Sequence, residues 1–398
     1  MAGAARGLDG RTVGRLRLAA QGLVPGGAGP TGVAGPAAAK SAAVAGPAAA
    51  KSSAYSAGVA RVAGVVRWLT AIQAQDLPAA LWAVGSRAPG AGISAVRTAL
   101  DTGRIVRSWP MRGTLHLVAP EDLGWMLDLT AEKLTRSIAA RFRDLDISWA
   151  DIEKARDVAL TRIAAGGPVS RPDLFKEFEA AGQPTTGQRG IHILGTLCRH
   201  GWLVQGPMSG NQQLLVAFED WIRTSRRLPR EEAVAEFLLR YLRSHGPATV
   251  RDFAWWTQLP LTEVRAALAD IRDQLVALDV KGTEYWLSPE TAELLDSGLP
   301  GARSVLLLPG FDEFVLGYQD RSLVLPPEHA DKIVPGNNGV FKKTVVAAGE
   351  VVGTWSLAGT GPGAAVVPEL FDETRPLGPT AQAALEKAAR GYRAFLAN

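Results

Sequence analysis

The chain has 398 residues, 47% of them hydrophobic, and carries a formal net charge of +4. That length is enough for roughly two to four domains with cores of their own. A single cysteine, Cys198, excludes an intrachain disulfide, and five scattered histidines leave no Cys/His spacing that builds a metal centre, so neither metal nor cofactor is expected. No apolar run approaches the roughly twenty residues that cross a bilayer. The chain therefore reads as cytoplasmic and free of membrane, and its mild positive charge permits an anionic partner without demanding one.

In chain order, residues 12–23 predict a helix that Gly22 can end. Residues 24–56 contain Gly-Pro-Ala-Ala-Ala-Lys-Ser twice and have nothing large to bury, so a disordered insertion is expected there. Val62, Val65, Val66, Leu69 and Ile72 recur at helical spacing, which predicts a helix whose buried stripe runs into Gln73. Pro78 suits the first turn of a following helix. Gln73 and Gln75 thus lie on a corner where they either brace the turn or carry function, and Asp76 either orients a glutamine or caps the next helix. A helix over residues 94–100, then strands over 105–109 and 114–118, complete the element order of a winged helix.

The same order recurs twice. Helices over residues 171–181 and to Cys198 precede a hairpin of strands 202–204 and 214–217, and helices over 231–243, 249–256 and 262–271 precede strands 275–280 and 284–287. Beyond Pro289, short segments at 304–308, 323–325, 339–347 and 350–356 predict a small antiparallel barrel, followed by a helix over 380–396. The expected class is α+β: three tandem winged-helix units (residues 1–165, 166–228 and 229–295) and a C-terminal β-barrel domain (296–398).

Polar groups able to do chemistry are few. Lys133, Arg136 and Arg143, and the group Arg223, Arg226, Arg227 and Arg230, either neutralise phosphates or form solvated faces. Arg112, Thr114 and His116 share one face of the first hairpin, as a polar pocket or as a histidine packed beneath it. Asp312, Glu313, Asp320 and Arg321 make either a paired acid site or a salt-bridged turn. Residues 335–339 suit a hairpin tip with Lys342 and Lys343 at its base, placed to press on a DNA backbone.

Five blocks together carry a resemblance: Gln73-Ala74-Gln75-Asp76, the stretch from Arg107-Ser108-Trp109 through Leu115-His116-Leu117-Val118, Leu308-Pro309-Gly310-Phe311-Asp312-Glu313, Asp320-Arg321 and Gly353-Thr354-Trp355. In that order they resemble the AlkZ/YcaQ family of winged-helix DNA glycosylases over nearly the whole chain outside residues 24–56. The resemblance implies three winged helices and a barrel around a concave DNA surface, and a catalytic motif of glutamine, an apolar residue, then glutamine or aspartate. That motif falls on Gln73, Ala74 and Gln75, and the second glutamine is the form associated with self-resistance to DNA-alkylating natural products. Arg107, Arg112, Thr114, His116, Arg321, Lys342 and Lys343 become the expected DNA-contacting residues.

The chemistry agrees with that assignment. A neutral amide is no general base at physiological pH, but it can hold a water at an attacking distance. It therefore serves only a leaving group that already departs readily, as a purine alkylated at N7 or N3 and formally cationic does. No lysine neighbours the motif, so a monofunctional glycosylase is expected, acting as a monomer on double-stranded DNA that bears N7-alkylguanine, N3-alkyladenine, bulky adducts or interstrand crosslinks. The alternatives are a non-catalytic winged-helix regulator and a protein that sequesters a genotoxin.

Overall fold

The computed structural model describes residues 8–29, 47–359, 364–372 and 377–398, and the chain sorts into two compact units, Met1–Val96 with Ala235–Asn398, and Arg97–Val234. Both mix helices with small antiparallel sheets, so the class is α+β.

The first unit opens with the helix Gly10–Ala20, which starts because the Asp9 carboxylate accepts from Thr12 N at 2.7 Å. Val13, Leu16 and Leu18 are buried from it. Residues 30–46 of the expected insertion lie outside the described residues, but 47–56 are not a loop: they begin the helix Pro47–Leu69. That helix stops at Leu69, three residues before the Ile72 at which its apolar stripe ends. Thr70 adopts φ 69°, a left-handed conformation that breaks the helical hydrogen-bond ladder, and Ala71–Gln73 is extended. Ile72 is buried from a strand and not from the helix. Asp76 then caps the helix Leu77–Gly85, accepting from Ala79 N at 3.2 Å, with Pro78 in its first turn.

The C-terminal part of this unit corrects the barrel. Four strands, Val305–Leu308, Thr344–Ala347, Glu350–Ala358 and Ala365–Leu370, pair antiparallel in the order fourth, third, second, first, and among the described residues the sheet does not close. Residues 323–325 form a turn, not a strand, although Val324 and Leu325 are buried. The hairpin tip is also elsewhere: Pro335–Asn337 is a single helical turn, and the tight turn joining two strands is Ala348-Gly349, with φ of 48° and 88°. Trp355 Nε1 donates to Leu308 O at 2.8 Å and Trp82 Nε1 to Leu307 O at 2.7 Å, which ties the sheet to the Leu77–Gly85 helix. The helix Pro379–Ala397 buries Leu385 and Phe395, the latter 5.1 Å from the Trp82 ring.

In the second unit, the hairpin Val106–Met111 and Thr114–Val118 turns at Arg112 and Gly113, both at positive φ, the two-residue turn whose twist suits antiparallel strands. Leu203–Ser209 and Gln212–Ala217 form a second hairpin. The two expected hairpins join in one sheet, because Val106–Met111 pairs with Leu203–Ser209 through Arg107 and Gln205. Behind them, the helices Trp149–Gly166, Arg171–Ala180 and Arg189–Arg199 bury Ile152, Leu174, Phe178, Ile193 and Leu197 in one core with Leu203 and Leu215.

Cys198 lies within that core, and burial pushes its thiol up to about 12. A thiol held protonated and out of water does not attack disulfide reagents. Native protein at pH 8 should leave Cys198 unmodified by an aromatic disulfide for hours, and guanidinium should release one reactive thiol at once, as read by the absorbance of the released thiolate.

Candidate active site

The Gln73 corner is built on buried charge. Ala71, Ile72 and Ala74 are fully buried, Gln73 is 6% exposed, and Gln75 is exposed. The two glutamines are therefore unlike: Gln73 belongs to the wall and Gln75 to the surface. Gln73 Oε1 is buried with no hydrogen-bond partner among the described residues, an acceptor of the kind that native interiors rarely leave unused. Next to it, the left-handed backbone of Thr70 is costly for a β-branched residue, and such strain persists where the surroundings hold it in place.

Glu313 supplies the floor. Its side chain is fully buried, with Oε1 accepting from Gln73 N at 3.0 Å and Oε2 from Trp256 Nε1 at 2.9 Å. His245 Nε2 lies 3.7 Å from Oε2, and the His245 ring stacks on Tyr241 at 4.6 Å. Burial holds His245 below the usual imidazole pKa, outweighing Glu313, so the ring is neutral at neutral pH. The tautomer with its proton on Nε2 turns that proton toward the carboxylate and leaves Nδ1 to accept from the Ser244 hydroxyl at 2.9 Å.

The adjacent residue repeats the arrangement. Asp312 takes both terminal nitrogens of Arg87 at 2.8 Å, with neither side chain exposed. Arg87 also donates to Gln21 Oε1 at 2.7 Å, Gln21 donates to the Tyr318 hydroxyl at 3.1 Å, and the Tyr318 hydroxyl donates to His245 O at 2.6 Å. Arg17 lies 3.6 Å over the Tyr318 ring. Gly310 is required here, since a Cβ would meet Phe341 O at 2.6 Å. Asp312 Oδ1 also accepts from Phe314 N at 2.9 Å, starting the short helix Glu313–Leu316. The block 308–313 is thus a loop bent to deliver two carboxylates inward.

Of the expected DNA-contacting residues in this unit, Arg321 donates from Nε to Val315 O at 2.9 Å and lies over Trp255 and Phe341. Its role in a turn with Asp320 is met differently: Asp320 Oδ1 accepts from Ser322 N at 2.9 Å. Lys342 is exposed, and Lys343 lies 4.9 Å over the Trp355 ring.

In the second unit, Arg112, Thr114 and His116 do come together. His116 is fully buried, its Nδ1 lies 2.9 Å from Thr114 O and its Nε2 3.1 Å from Arg112 Nη2. With the ring proton on Nδ1, donating to that carbonyl, Nε2 accepts from the guanidinium. Arg107 is nearly buried and donates to Gln205 Oε1 at 2.8 Å and Gln213 Oε1 at 3.3 Å. Arg226 pairs with the buried Asp122 at 2.6 Å and Arg227 with Asp128 at 2.6 Å. No group of His, Cys, Asp and Glu among the described residues is arranged to hold a metal ion.

Comparison with known proteins places this geometry. A model of the AlkZ-like DNA glycosylases matches residues 66–395. An interstrand DNA cross-link repair glycosylase of Streptomyces sahachiroi is 30% identical over 311 residues, covering 74% of this chain and 81% of that protein. The solved structure of the Streptomyces sahachiroi DNA glycosylase AlkZ shares the fold, with a TM-score of 0.74 at 24% identity over 98% of this chain and 97% of that one. The class so defined is that of the DNA glycosylases, which are hydrolases. The chain belongs to the AlkZ-like DNA glycosylase family.

Breaking one partner of a buried ion pair strands the other charge, whereas replacing both by apolar groups removes the problem. Arg87→Ala or Asp312→Ala should each lower the unfolding free energy by about 3–5 kcal/mol. The Arg87→Met, Asp312→Leu double variant should lose less than either, as measured by guanidinium denaturation.

Proposed function

We propose that this protein hydrolyses the N-glycosidic bond of cationic N-alkylated purines in double-stranded DNA, with Gln73 and Gln75 holding the attacking water. The observation that carries the reading is the buried Gln73 Oε1, without a hydrogen-bond partner among the described residues, two residues from the exposed Gln75. One amide accepts from the water at the wall and the other meets it from the surface, so its oxygen is held toward C1′. The glycosidic electron pair leaves with the base and cancels the base's formal charge. The water oxygen then bonds to the oxocarbenium carbon and its proton passes to solvent, leaving an abasic site. No group need protonate the base or deprotonate the water in advance, which suits a site made of neutral amides.

N7-alkylguanine is the leading substrate class, with N3-alkyladenine beside it. The cross-link repair activity in the name of the Streptomyces sahachiroi relative extends the proposal to bulky adducts and crosslinks, and to self-resistance against an alkylating metabolite. The three helix-and-hairpin runs are proposed to act as tandem winged helices over the segments 1–165, 166–228 and 229–295, with 296–398 as a further DNA-facing domain. Arg107, Arg112, Thr114, Arg321, Lys342 and Lys343 are the proposed DNA contacts of a monomer acting at the nucleoid, while the fully buried His116 is proposed to hold Arg112 from behind and not to touch DNA.

Incubation with an N7-alkylguanine duplex, followed by alkali, should break the lesion-bearing strand. Gln75→Ala and Gln73→Ala should each slow this by about a hundredfold at unchanged duplex affinity, the scale set by losing one transition-state contact. Strand breakage as fast in Gln75→Ala as in the unaltered protein would overturn the assignment. Lesion-independent binding to a preferred sequence without strand breakage would favour the regulator.

A further inference from the structure

We propose that Glu313 is a positioning residue of the glycosidic cleavage, acting by its negative charge through the Gln73 peptide rather than by filling space; the inference rests on the glutamine pair being the site of hydrolysis. Both Glu313 oxygens act as acceptors, one from Gln73 N at 3.0 Å and one from Trp256 Nε1 at 2.9 Å, as an ionised carboxylate does. Both of these donors are neutral, and the Arg87 guanidinium directs its two terminal nitrogens to Asp312. His245 is neutral at neutral pH and stands 3.7 Å away. The Glu313 carboxylate thus stands in a fully buried place, one peptide behind the buried amide of Gln73.

A carboxylate there has two effects on a reaction that develops positive charge on a sugar. It fixes the Gln73 peptide, and with it the direction of the side-chain amide, through the hydrogen bond to N. It also stabilises the oxocarbenium ion across a medium where charges are weakly screened, at no cost in reorganisation when the bond breaks. The sign matters for binding too. A negative charge beside the site does nothing to attract phosphates, so its removal spares DNA affinity, whereas removing a DNA-contacting cation weakens binding.

Two variants separate charge from shape. Glu313→Gln keeps the length and one acceptor for Gln73 N but is neutral. Glu313→Asp keeps the charge and is one methylene shorter. Single-turnover excision from an N7-alkylguanine duplex should fall at least a hundredfold in Glu313→Gln, with the dissociation constant for lesion duplex unchanged or tighter, and less than tenfold in Glu313→Asp. The reverse order, with the glutamine variant the more active, is what a purely structural side chain gives and would overturn the inference. Circular dichroism and thermal melts establish that each variant is folded; if the glutamine variant does not fold, a folded aspartate variant that has lost a hundredfold overturns the inference by itself. Failure of the unaltered protein to excise the lesion would instead defeat the glycosylase reading on which the inference stands, so the two failures are distinct.

Discussion

A carboxylate withdrawn from water must find donors within reach, and residues 312 and 313 bury two in succession. The solution organises the first unit. Asp312 takes Arg87 and Glu313 takes the backbone of Gln73, which lie on either side of the Leu77–Gly85 helix, while Leu307 accepts from Trp82 in its middle. One contiguous stretch, the end of a strand and the loop after it, thereby tethers that helix at its centre and the chain on either side of it. Because each tether is a directional hydrogen bond inside a packed core, this stretch helps to set the position of Gln73.

The same arrangement explains why the two glutamines are inequivalent. Gln73 has its backbone anchored below and its side-chain oxygen buried, so its rotamer is set by its surroundings. Gln75 follows a buried alanine and precedes the cap that Asp76 makes for the next helix, which leaves it exposed but on a fixed backbone. A small residue at position 74 suits this place, since Ala74 is fully buried and turns the chain between wall and surface.

Much of this was legible in the sequence and some of it was not. Pro78 was readable because it acts within one helical turn, and the hairpin Val276–Val280 with Thr283–Leu287 lies where strands over 275–280 and 284–287 are expected. The end of the Pro47–Leu69 helix was not, since Thr70 in a left-handed conformation is held by tertiary packing against its own preference. Glu313 was visible only as one acid in a crowded block, because its partners lie far away in the chain, and Arg87, His245 and Trp256 carried no local sign of their burial. The pairing of Arg107 with Gln205 escaped for the same reason: edge-to-edge union of two hairpins depends on a match almost a hundred positions apart, |i−j| = 98 for their side chains.

The separation between Gln73 and Glu313 is 240 positions, and the contiguous second unit, Arg97–Val234, lies between them in the chain. Contacts of such range form late, after the cost of closing a long loop has been met. On the ribosome, the stretch bearing both glutamines emerges before the second unit and before the residues that form its floor. A chain halted before residue 313 carries the motif without the buried carboxylate beneath it. Under the proposed reading, the buried support of the glutamine corner is completed only in the last quarter of synthesis, when residue 313 is made.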